Sequence, residues 1–146
     1  MKIINRLLDS RITSLIARIV ATFIYWWTAI ERITDWPKSV SSMAEHGLQP
    51  AAAFSAAVLA TQVVAPALII WGPLAWLGSG WLVIFSMIAL SIVHPFWEGG
   101  PRAAMQMHNA IIICSLCGGL VLCAIVRRLE ARLDQAGLAP GARGGD

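Results

Sequence analysis

A few polar side chains stand out in an otherwise apolar chain: Arg32, Asp35, Gln62, His94, His108 and Asn109, with Trp97 close to His94. A guanidinium, a carboxylate, two imidazoles and two amides can donate and accept hydrogen bonds at fixed points. Such a set suits the binding of a small molecule with a polar head. It does not assemble into a nucleophile triad, a carboxylate pair, a phosphate loop or a haem motif. No self-contained catalytic site is expected.

Cys114 and Cys117 form a C-x-x-C pair, with Cys123 further along. A dithiol beside a quinone could exchange electrons with it. Reactive thiols, however, favour a helix N-terminus or a nearby cation that stabilises the thiolate. This pair lies well inside an apolar run, where burial favours the neutral thiol and inert packing. No second Cys or His pair stands at zinc-site spacing, so no metal site is expected.

The elements that position these residues follow from composition. Of the 146 residues, 58% are apolar or aromatic and 13% are charged. A soluble domain of this size carries about 25% charged residues. Disordered chains, disulfide scaffolds and ordinary soluble enzymes are thereby excluded. The 52 residues between Glu45 and Glu98 contain no Lys, Arg, Asp or Glu. That run is too long for one membrane span of about 20 residues, and Trp71-Gly72-Pro73 breaks it. It reads as two spans, 51–70 and 74–93. Two more apolar segments give spans at about 12–33, with Arg18 inside, and 105–126. Continuous rather than alternating apolarity argues against a barrel. The fold class is therefore all-α, a membrane-spanning four-helix bundle. Residues 1–128 form one transmembrane domain, and 129–146 an amphipathic turn and mobile cytoplasmic tail.

Orientation follows from the cations. Lys2, Arg6, Arg11, Arg18, Arg127, Arg128, Arg132 and Arg143 flank the termini, whereas Arg32, Lys38 and Arg102 lie on the other side. Both termini are expected to be cytoplasmic. The net charge of +3 then reflects cytoplasmic flanks that meet lipid headgroups, not nucleic acid. Met1–Ile19 lacks a small-residue cleavage pattern and reads as an interfacial lead-in, with Ile4, Leu8 and Ile12 on one face.

This topology puts Arg32, Asp35, His94, Trp97, His108 and Asn109 at the outer interface, with Gln62 near mid-depth. The expectation is a polar rim over an apolar bundle. Each residue also has a plain structural role open to it: helix-end charges, a terminus before Pro95, and interhelical hydrogen bonding by a buried amide. Trp26 and Trp27 could line a cavity or face lipid. Pro66 should kink the second span. Gly78, Gly80, Gly118 and Gly119 allow close helix approach.

The order of motifs is that of a known family. Arg18, Phe23 and Thr28-Ala29-Ile30-Glu31-Arg32-Ile33-Thr34-Asp35-Trp36 come first. His46-Gly47-Leu48 follows, then His94-Pro95-Phe96-Trp97, Asn109 and Gly118-Gly119. Over about Arg18 to Ala124 the chain resembles the DoxX family of small four-helix membrane proteins. Ala29 stands where the family has glycine, Arg32 where it has lysine, and Gln62 where many members have glutamate. Gln62 cannot titrate, and Arg32 holds its charge permanently.

The resemblance implies links to membrane redox systems. The leading expectation is an integral subunit or accessory protein of a respiratory, quinone-linked complex in a bacterial inner membrane. It would offer a quinone- or lipid-sized cavity at the outer rim. Its partners would be membrane lipids and either redox-complex subunits or further copies of itself. Two alternatives stand beside it: a small transporter for a lipophilic solute, and a thiol–quinone oxidoreductase using Cys114 and Cys117.

Overall fold

A computed structural model describes residues 10–94 and 96–137. The first nine residues of the lead-in, with Lys2, Ile4, Arg6 and Leu8, lie outside them. So do Pro95 and the tail from residue 138, with Arg143.

The first helix, α1, runs Arg11–Thr34. Ser10 opens it by accepting a hydrogen bond from the Ile12 N–H at 3.2 Å, which satisfies one of the free first-turn donors. Asp35 closes it and immediately caps the next helix, α2, Trp36–Glu45. Its Oδ1 accepts from the Lys38 N–H at 3.2 Å. Pro37 sits in the first turn, where its missing N–H costs nothing. Helix α3 follows as Ala51–Trp71, and Gly72, at φ 100°, turns the chain into α4, Ala75–Val93. A single 3-10 turn, Phe96–Glu98, leads to α5, Ala103–Gln135.

The four long helices coincide with the four expected spans. Two features differ from the sequence reading. Helix α2 was not expected, because its ten residues are polar enough to read as loop. Helix α5 runs on through residues 129–135, where a turn was expected. Its 33 residues make a rod of about 50 Å at 1.5 Å per residue, well beyond a hydrocarbon core of about 30 Å.

The helices form a ring. The α4–α5 and α3–α4 interfaces are the most extensive, α1–α3 is next, and α1–α5 is slight. Helices α1 and α4 therefore face each other across the bundle. They meet where the Tyr25 hydroxyl and Ser86 Oγ lie 2.7 Å apart. Ala65, Ile69, Leu82 and Leu120 form one buried apolar cluster with Tyr25. Helix α2 lies against α3.

Gly78 sets how closely α3 and α4 approach: a Cβ there would lie 2.5 Å from the Ala65 carbonyl oxygen. Gly80, Gly118 and Gly119 have open space beside them and do not mark such approaches. Pro66 is buried within α3 without ending it. It lacks the amide that would otherwise bond the Gln62 carbonyl one turn back.

At most 33% of the apolar window of any long helix is buried within the molecule. Many large apolar side chains on these helices are exposed, far more than water tolerates on a small domain. Four helices long and apolar enough to cross a bilayer, with most of their surface free, make this an integral multi-pass membrane protein whose helices contact lipid. The end with the start of α1, the α3–α4 turn and the end of α5 is termed proximal. The opposite end is distal.

Candidate functional site

The distal site is built from three helices. Arg32 lies in the last turn of α1. Its Nε donates to Gln62 Oε1 at 3.2 Å and its Nη1 to Ser39 Oγ at 2.6 Å. Ser39, on α2, is hydrogen-bonded to Ser55 on α3. Gln62, Ser39 and Ser55 are all buried, and Arg32 is partly buried. One guanidinium thus ties α1 to α2 and α3 through side chains alone. Its planar fork suits this, because it reaches two acceptors at once.

A cavity of about 640 Å³ opens beside this network. Trp27, Thr28, Glu31, Arg32, Asp35, Lys38, Ser39 and Ser42 line it, among others. Among the described residues its wall therefore carries two cations and two carboxylates, a balanced charge. Trp27 Nε1 donates to Glu31 Oε1 at 2.9 Å, which fixes the indole at the cavity edge. Trp27 thus lines a cavity, one of the two roles open to it.

Of the residues expected at the rim, Arg32 and Gln62 are brought into direct contact, and Asp35 lines the same cavity while capping α2. The others lie elsewhere on the distal end. His94 closes α4, its N–H bonded to the Leu90 carbonyl at 3.0 Å. Trp97 is exposed and packs edge-on against Phe96, with centroids 5.1 Å apart. His108 is exposed and Asn109 partly buried on α5. None of these four lines the Arg32 cavity. The ring order explains this: α4 lies across the bundle from α1, and α5 touches α1 only slightly. Cys114 is exposed on α5, whereas Cys117 is buried; both are free thiols.

Ser39 and Ser55 are members of this network that the sequence reading missed. The available signal was Ser55, a hydroxyl within an apolar span that needs a partner. A second arginine, Arg18, is buried at the proximal end. Its Nη1 donates to the Ile69 and Ile70 carbonyls, each at 3.4 Å, and its Nε to Ser14 O at 3.2 Å. It satisfies the last turn of α3, where carbonyls lack helical partners and a positive charge is favoured.

No curated protein and no solved structure matches the chain. A family model described as DoxX matches residues 13–95. That stretch is more than half of the chain and holds Arg18, Arg32, Asp35, Gln62 and His94, so the chain belongs to the DoxX family.

Proposed function

We propose that this protein is an accessory subunit of a quinone-linked redox complex, and that its distal cavity holds the polar head of a quinone-class molecule. The observation that carries this reading is the charge balance of the cavity wall: Arg32 and Lys38 against Glu31 and Asp35, with Trp27 at the edge. A balanced wall favours an uncharged ligand over an anion or a cation. Arg32 and Ser39 can offer donors to a carbonyl oxygen, and Trp27 a flat apolar face. The subunit holds and positions the ring, and its partner subunits carry out the electron transfer. The broad apolar helix surface is available to lipid and to those partners.

The same reading places both termini in the cytoplasm of a bacterial cell. Arg11, Arg18, Arg127, Arg128 and Arg132 are proximal, against Arg32, Lys38 and Arg102 distal, as the positive-inside bias requires. The distal cavity then opens at the outer face of the inner membrane.

The test is purification in mild detergent, with extraction of bound lipophiles and identification of copurifying proteins. Quinone should be recovered with the wild-type chain and fall about tenfold in Arg32→Ala, the loss that follows when one charged hydrogen-bond donor is removed. A lone, monodisperse species without quinone or redox partners would overturn the reading.

A further inference from the structure

The proximal end holds a second cavity of about 420 Å³, lined by Gly72, Pro73, Trp76, Arg127 and Arg128 among others. Its chemistry differs from that of the distal site. Two arginines line it and, among the described residues, no carboxylate does. Arg127 Nη1 pairs with Glu130 at 3.1 Å, outside the lining. Arg127 Nε is buried and has no hydrogen-bond partner among the described residues. It lies against the Gly72 turn, where a Cβ would come within 2.6 Å of it. Arg18 reaches the same turn, its Nη1 3.1 Å from that position. Among the described residues the local charge is thus three arginines against one glutamate.

The depth of the cavity identifies its ligand. Helix α4 has 19 residues and so rises about 28 Å, close to the thickness of the hydrocarbon core. The turn at its start therefore lies at the headgroup level. Trp71 and Trp76 are 70% and 63% exposed there, as interfacial indoles are. Phosphate oxygens suit a guanidinium fork, and an acyl-glycerol body suits the Trp76 face. We infer that this cavity is a binding site for the phosphate of an anionic membrane phospholipid, held by Arg127 and Arg128 with Trp76 against the glycerol end.

The test uses the full chain in nanodiscs of phosphatidylcholine, or of phosphatidylcholine mixed with phosphatidylglycerol. Retained lipid is counted by native mass spectrometry, and the melting temperature is followed in parallel. Phosphatidylglycerol should be retained about tenfold over phosphatidylcholine and should raise the melting temperature, as a pair of arginines at the headgroup level implies. Arg127→Gln/Arg128→Gln should abolish the preference, whereas Arg102→Gln at the distal end should preserve it. Arg128→Gln alone removes an exposed side chain, so it folds regardless and should cut the preference severalfold. Equal retention of the two lipids by the wild-type chain, or an unchanged preference in Arg128→Gln, would refute the site. A melting shift reproduced by inorganic phosphate in phosphatidylcholine discs would refute the lipid as its source.

Discussion

The two ends of the bundle each hold an arginine near a helix terminus, Arg18 buried and Arg32 partly buried, and they use it differently. Proximal Arg18 spends its donors on backbone carbonyls of α1 and of the last turn of α3. Distal Arg32 spends its donors on side chains, Gln62 and Ser39, that belong to other helices. Backbone acceptors at a helix end must be satisfied in any folded state of the chain. Side-chain acceptors can rotate, and the distal set borders a cavity large enough for a ligand head. The first arginine is therefore a fastening of the fold, and the second is a group that a ligand can recruit.

The largest effect should come from breaking the proximal fastening. Arg18→Leu leaves the Ile69 and Ile70 carbonyls without their charged donor inside the bundle. The expected cost is about 3 kcal/mol, the scale of charge-assisted bonds to buried groups. Denaturation in detergent micelles measures it. A fall in stability no greater than that of Arg32→Leu would erase the distinction between the two ends.

A smaller loss is expected at the distal network. Ser55 is fully buried and bonds Ser39, which in turn accepts from Arg32. Ser55→Ala removes one neutral hydrogen bond, worth about 1 kcal/mol. Unlike Arg18→Leu, it should also loosen Arg32 and so weaken quinone retention. Loss of stability with full ligand retention would make the serine pair mere interhelical glue.

How much of this was legible follows from what sequence can encode. The four spans were readable because hydropathy is a local property and the run from His46 to Trp97 contains no Lys, Arg, Asp or Glu. That Arg32 and Gln62 would need polar partners was readable for a similar reason: a polar group among apolar neighbours must be satisfied. Their pairing was not, because depth along a helix says nothing about which helix stands beside it. The same limit placed His94, Trp97, His108 and Asn109 with Arg32 by level, although the ring order puts them around other helices. Helix α2 was missed despite a usable signal, since Asp35 followed by Pro37 is an N-cap with proline in the first turn. The extension of α5 was hidden because its last turns are amphipathic, and Asp134 meets Arg11 from the far end of the chain.

Asp35 offers the finest cut, because it belongs to both sides of the comparison. As an N-cap it fastens the backbone, as Arg18 does. As a cavity wall it borders the space proposed for the ligand, as Arg32 does. The two roles separate by substitution. Asparagine caps about as well as aspartate, whereas alanine costs about 1 kcal/mol at an N-cap. Asp35→Asn should therefore keep wild-type stability, and Asp35→Ala should lose about that amount. The charge tells the rest. The asparagine substitution leaves Arg32 and Lys38 opposed only by Glu31, so the wall turns cationic. An uncharged ligand that needs a balanced wall should then be retained less well, by severalfold, in a protein that unfolds at the wild-type temperature. If Asp35→Asn retains the ligand fully, the carboxylate serves α2 alone, and the distal site narrows to Arg32 and the side chains that hold it.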